Sequence, residues 1–210
     1  MAERFEKLYK DYPELAGCRV EIENAFSIMK GTYENGGRVY VCGNGGSAAD
    51  CQHITGELMK GFEKKRPVEF PAEIAEKLSP ETARLLGEKL QGALPCHSLT
   101  VEGSLISALA NDISADIAYA QQIHGYGKPG DCLVCISTSG NAVNVGLAAE
   151  LAIAMDIGVI ALTGRDGGRL GGLRCTAVRV PADTVAGAQE LHVAVYHALC
   201  RELENHFFEC

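Results

Sequence analysis

No stretch of this sequence approaches the roughly 18 consecutive apolar residues of a membrane-spanning helix, although 47% of its 210 residues are hydrophobic. The N-terminus, "MAERFEKLYKDYPEL", is charged rather than apolar, unlike a signal peptide. No basic run exceeds "EKKRP" at 63–67, and the net charge is −8 with a pI near 5.3. A chain built to grip a nucleic-acid backbone would carry the opposite balance. No nucleic-acid or membrane partner is expected, and a cytoplasmic location is. Paired cysteine spacings are also missing: the nine cysteines, at 18, 42, 51, 96, 132, 135, 175, 200 and 210, form no disulfide framework. Cys132 and Cys135 form a CxxC, but "DCLVCIST" reads as a buried strand that sends the two thiols to opposite faces. They read as small buried hydrophobes in a reducing compartment. Finally, there is neither a GxxxxGK[ST] nor a GxGxxG motif, so ATP and dinucleotide binding are unsupported.

What is present is an alternation of strand-like and helical patterns. Strand character appears at about 38–42, 98–102, 131–137, 158–163 and 176–180, and helical periodicity at about 14–36, 47–62, 103–123, 142–156 and 185–206. This order predicts an α/β fold, a three-layer sandwich around a central, mostly parallel five-stranded sheet. The length suits one domain over 1–210, with an N-terminal helical segment over 1–36. In that segment Leu15, Cys18, Ile22, Ala25, Phe26 and Met29 share one face. A stretch of different character at 68–94 reads as a helical insert, with Ser79 as N-cap, Pro80 in the first turn, and Leu85, Leu86 and Leu90 on one side. It is either a packing or oligomer element or a cover over a site.

Two loops have the same design. In "VYVCGNGGSAADCQH" an apolar strand turns through Gly43, Gly45 and Gly46 into a helix, with Asn44 and Ser47 supplying polar side chains. In "CLVCISTSGNAVNVG" a strand runs into Ser137, Thr138, Ser139, Gly140 and Asn141 before the next helix. Either loop alone reads equally as helix capping or as anion binding. Two of them in one parallel-sheet protein favour an anionic ligand at the carboxyl ends of the strands. His53 and Glu57 lie one helical turn apart on one face, a spacing also common in solvated surface pairs.

"CGNGGSAADCQH", "NDISADIAYAQQI", "GDCLVCISTSGN", "ALTGRDGGRLGG" and "RVPADTVAGAQELHVAVYH" occur in an order and spacing that resembles the SIS (sugar isomerase) family, within it the phosphoheptose isomerases, over about residues 15–205. The resemblance implies a flavodoxin-like SIS domain. Its activity would be aldose–ketose isomerisation of a sugar phosphate, sedoheptulose 7-phosphate to D-glycero-D-manno-heptose 7-phosphate, through an enediolate. It implies that Ser137, Thr138 and Ser139 grip the phosphate with Ser47 nearby, that Asn44, Gly45 and Gly46 contact substrate, and that Asn111 and Asp112 bind sugar hydroxyls. Without the family, Asn111–Asp112 before a helix would read as a cap. His53, Glu57, Gln189 and His197 would be zinc ligands, Glu57 also the base and His197 the acid, with Gln189 also meeting substrate. Eight residues separate Gln189 from His197, a rise of about 12 Å with a turn of about 80°, so the two converge only by leaning together. His192 would point to another side, as a core or interface histidine. The family also implies a homo-oligomer, commonly a tetramer, with sites at subunit boundaries.

The sequence departs from that pattern at Ala142, where the serine loop usually ends in a further serine, at Ala186, where an aspartate is usual, and in the insert. These bear on which sugar is used. The competing reading is an inactive SIS sugar-phosphate-binding or regulatory protein resembling the DnaA initiator-associating proteins. Those characteristically lack the carboxylate one turn after the motif histidine and the last helix histidine, and this chain has both Glu57 and His197.

Overall fold

The computed structural model describes residues 4–208, so Cys210 lies outside the described residues. Five strands, β1 (Val39–Gly43), β2 (Cys96–Ser98), β3 (Cys132–Ile136), β4 (Gly158–Thr163) and β5 (Thr176–Arg179), form one sheet in the order β2-β1-β3-β4-β5. All four pairings are parallel. Every residue of "VYVCG" and of "CLVCI" is buried, as expected of strands covered on both faces.

Alternation along these strands builds two cores. Val39, Val41, Cys132, Val134 and Ile136 pack with α2 (Arg19–Glu34), α3 (Gly46–Met59) and α9 (Val185–Phe207). Tyr40, Cys42, Leu133 and Cys135 pack on the other face with α7 (Ala118–Tyr126) and α8 (Val143–Ala154). Cys132 and Cys135 thus fall into opposite cores, and all eight cysteines among the described residues are free thiols.

The boundaries differ from expectation where local side chains intervene. The N-terminal segment comprises α1 (Glu6–Asp11), a 3₁₀ turn over Pro13–Cys18 and then α2, with all six expected apolar residues buried. Strand β2 sits earlier than the 98–102 pattern suggests. The Ser98 and Thr100 hydroxyls lie 2.8 Å apart and Thr100 N–H donates to Ser98 Oγ, a local turn that ends the strand. The single helix expected over 103–123 is broken into α6 (Gly103–Asp112) and α7, because Ser114 caps an intervening 3₁₀ turn by accepting from Asp116 N–H.

The insert holds α4 (Ala72–Ala75) and α5 (Pro80–Lys89), and Ser79 caps α5 through Thr82 N–H as the sequence predicts. Its base is closed by an antiparallel bridge between Pro67 and Gln91. Leu85 and Leu90, however, are 51% and 46% exposed, so within one chain their apolar side is uncovered.

The sheet order decides where a ligand can sit. The chain leaves β1 toward β2 on one side and resumes with β3 on the other, so the loops after β1 and β3 diverge and open a crevice at their carboxyl ends. Those two loops are the glycine turn and the serine loop.

Candidate active site

Asn44, Gly45, Gly46, Ser47, Ile136, Ser137, Thr138, Ser139, Ala142, Val185 and Gln189 line a cavity of about 360 Å³ at this crevice. The turn after β1 depends on its glycines. Gly45 has φ +57°, and a Cβ on Gly46 would run into the Gln189 amide. Ser47 is buried in the first turn of α3, where the Ser47, Ala48 and Ala49 N–H groups turn back onto the Asn44 and Gly45 carbonyls at 3.0, 3.0 and 3.3 Å. On the other wall Gly140, at φ +67°, lets the serine loop pass against the backbone of Gly167 and Gly168. Gly140 N–H bonds Ser137 O at 2.9 Å and Gly164 N–H bonds Thr138 O at 2.9 Å, which fixes the loop. Ala142 occupies the N-cap of α8 with no side-chain bond to the helix, and Asn144 Oδ1 instead accepts from Val145 N–H at 2.9 Å in its first turn.

Two residues that the sequence reading passed over hold the glycine turn. Tyr119 Oη donates to Gly43 O at 2.6 Å and lies 3.2 Å from Asn44 Oδ1. The Asn44 and Asn144 amides exchange hydrogen bonds of 2.8 and 3.0 Å, tying the turn to α8. Asn44 therefore lines the cavity with its side chain already engaged.

A second group lies further along α3. His53 Nε2 is 3.2 Å from Glu57 Oε1 and 3.4 Å from His197 Nε2, which α9 contributes. Phe62 packs against His197 with ring centroids 5.4 Å apart. Burial, then His53, pushes the His197 imidazole below its ordinary value. Glu57 Oε2 is buried without a hydrogen-bond partner, leaving one carboxylate oxygen uncommitted. His53 Nδ1 faces Tyr196 Oη at 3.0 Å, and Tyr196 Oη is 3.2 Å from Asp50 Oδ1. Burial raises the Asp50 carboxyl above its usual range.

The last turn of α3 is fixed by a buried ion pair absent from the sequence reading. Arg66 Nε contacts Glu204 Oε1 at 2.7 Å, while its other nitrogens donate to Leu58 O at 2.8 Å and Glu57 O at 3.0 Å. Glu204 also accepts from the backbone N–H groups of Phe62, Glu63 and Lys64. The Arg66 cation at the carbonyl end of α3 complements the helix dipole there.

The structure thus joins Asn44, Gly45, Gly46, Ser47, Ser137, Thr138, Ser139 and Gln189 in one cavity, and His53, Glu57 and His197 in one cluster. It does not join Gln189 to that cluster. Its amide lies against Gly46, about 12 Å of helix rise from His197. Among the described residues, no group of three or more His, Cys, Asp or Glu side chains is arranged to hold a metal ion. Two imidazoles and a carboxylate with a free oxygen do fit zinc in chemical kind. Asn111 and Asp112 are exposed at the end of α6, bonded to each other at 2.7 Å. His192 is fully buried in the α9 core beside the Thr163 backbone, and burial lowers its basicity.

A polar cradle at the switch point of a parallel sheet, with a carboxylate–imidazole cluster farther along the same helix, defines an α/β protein suited to holding a small anion and moving protons on it. The SIS domain model matches residues 16–85 and 73–164. The phosphoheptose isomerase of Shewanella loihica is 38% identical over 190 residues, covering 89% of this chain and 84% of that one. The structure of a phosphoheptose isomerase from Francisella tularensis superposes with a TM-score of 0.74 at 31% identity, covering 96% of this chain and 94% of the other. That of GmhA from Neisseria gonorrhoeae gives 0.67 at 32%, covering 94% and 98%. The chain belongs to the SIS domain family and, within it, to the phosphoheptose isomerases.

Proposed function

We propose that this chain is an aldose–ketose isomerase acting on sedoheptulose 7-phosphate to give D-glycero-D-manno-heptose 7-phosphate. The observation that carries this reading is the cluster in which His53 and Glu57, on the helix whose first turn lines the anion cavity, meet His197 of α9. Gly46 and His53 are seven residues apart, or about 10 Å along the helix. That separation is of the order of an open seven-carbon chain, so a phosphate held at one end places carbons 1 and 2 near Glu57.

The serine loop, Ser47 and the Gly46 N–H at the start of α3 would hold the phosphate, remote from the reacting carbons. Glu57 would take the proton from C1, and the released electron pair forms the C1=C2 bond of an enediolate. His197, its basicity lowered, would move the proton between O1 and O2. Return of the proton from Glu57 to C2 while O1 becomes the carbonyl completes the exchange, with no net gain or loss of atoms. A zinc ion, when bound, would be held by His53, Glu57 and His197 and would polarise the sugar oxygens.

We assign Gln189 to the substrate cavity, and Asn111 and Asp112 to hydroxyl binding where subunits meet. A homotetramer in the cytoplasm is the proposed working form. The exposed Ile113, Leu85 and Leu90 need cover, the thiols among the described residues are free, and no described helix is long and apolar enough to cross a membrane. The inactive binding-protein alternative is disfavoured, since the two groups it characteristically lacks are here assembled around His53. The test is a panel of ketose phosphates incubated with purified protein. Turnover fastest with the seven-carbon substrate is expected, and no turnover of any member would overturn the reading.

A further inference from the structure

Tyr196 is 2% exposed on α9, and its hydroxyl bridges two groups, Asp50 Oδ1 at 3.2 Å and His53 Nδ1 at 3.0 Å. A phenol carries one proton. The Asp50 carboxylate can only accept, so the Tyr196 proton is directed to Asp50 and Tyr196 Oη is left to accept from His53 Nδ1–H. That direction settles the ring. With the proton on Nδ1, the neutral imidazole presents a lone pair at Nε2, the atom that faces Glu57 Oε1 and His197 Nε2. A lone pair aimed at a carboxylate oxygen 3.2 Å away is repulsive unless a proton or a cation lies between them. The arrangement therefore keeps Nε2 ready to accept whichever arrives. The rings of Tyr196 and His53 also meet edge to face, with centroids 5.5 Å apart at 74°, so the ring plane is packed as well as hydrogen-bonded.

We propose that Tyr196, oriented by Asp50, is a positioning residue that holds His53 in the Nδ1–H tautomer and turns Nε2 toward Glu57 and His197. The proposal rests on the isomerase reading for its functional consequence, but not for the tautomer itself. Metal-ligating and catalytic imidazoles work through one nitrogen while a partner fixes the other. Here that partner is a tyrosine interposed between the ring and the carboxylate.

The experiment uses full-length, metal-stripped protein labelled with ¹⁵N-histidine. Long-range ¹⁵N–¹H spectra are recorded at about pH 8.5, where an ordinary imidazole is neutral, for the native protein and Tyr196→Phe. The native spectrum should show His53 as the Nδ1–H tautomer, and the variant should shift it toward Nε2–H. Zinc affinity, read by competition with a chelating dye, should fall about 10–100-fold in the variant, with a similar loss in kcat and little change in KM. A native His53 already in the Nε2–H form overturns the proposal without recourse to any variant. So does a Tyr196→Phe protein whose tautomer, zinc affinity and kcat match the native ones. A correct tautomer shift in a protein that turns over no ketose phosphate upholds the positioning role and removes the isomerase reading instead.

Discussion

Replacing Arg66 with leucine removes the side chain that joins the end of α3 to α9. The guanidinium is buried, and the change deletes its bond to Glu204 Oε1 and its bonds to the Glu57 and Leu58 carbonyls. It also removes the packing of the guanidinium carbon over the Phe208 ring, 4.6 Å from its centroid. Breaking one side of a buried ion pair costs about 3–5 kcal/mol. Glu204 keeps its three backbone donors, so we expect the lower end, about 3 kcal/mol. At about 2–4 °C per kcal/mol for a chain of this size, Tm should fall by about 6–12 °C. Glu204→Leu should cost more, because it strands three backbone N–H groups as well as the cation. Urea unfolding with constant m measures both variants. A loss from Arg66→Leu no larger than the roughly 0.5 kcal/mol of an ordinary surface change, or a Glu204→Leu protein more stable than the Arg66→Leu one, would refute the reasoning.

Burial raises the Glu204 carboxyl, but the N–H groups of Phe62 and Glu63 and the Arg66 guanidinium outweigh it and hold its pKa below the ordinary value. The stability that this depression contributes is present above the unfolded carboxyl pKa of about 4.3 and is lost as pH falls through the folded value. The stability gap between native protein and Glu204→Gln should therefore narrow on acid titration below about pH 4. Ala142→Ser should add an N-cap acceptor to α8, where Asn144 Oδ1 already takes the Val145 N–H, so it should raise stability by only about 0.5 kcal/mol in thermal unfolding. Gly140→Ala, at φ +67° with its Cβ directed onto Gly167, should cost more than about 1 kcal/mol and weaken phosphate binding in calorimetry.

The parts of the fold and site that were legible in the sequence are those written in local pattern. Buried strands read as apolar runs, and the glycine and serine loops stood out because polar residues followed those runs at the start of helices. His53 and Glu57 share a face because helical spacing forces it. His197 and Gln189 entered only through resemblance, and the structure separates the two along α9 because helix rise cannot be compressed. What escaped notice is long-range. Arg66 and Glu204 are 138 residues apart, Asn44 and Asn144 are 100, and Tyr196 and His53 are 143, so no periodicity links them. Arg66 lay inside "EKKRP", which the sequence marked only as a short basic run, and nothing local shows that it is 1% exposed. The β2 and α6–α7 boundaries slipped because single serine hydroxyls ended elements whose apolar pattern continued.

The central claim is that Glu57 moves a proton between adjacent carbons of a sugar phosphate held in the neighbouring cavity. The direct test is to incubate native protein and Glu57→Gln with sedoheptulose 7-phosphate in deuterated water, following deuterium at C2 of the aldose by mass spectrometry and phosphate-ester binding by calorimetry. The account predicts deuterated aldose from the native protein, none from Glu57→Gln, and similar binding by both. Deuterium entering the product at native rates with Glu57→Gln would contradict it.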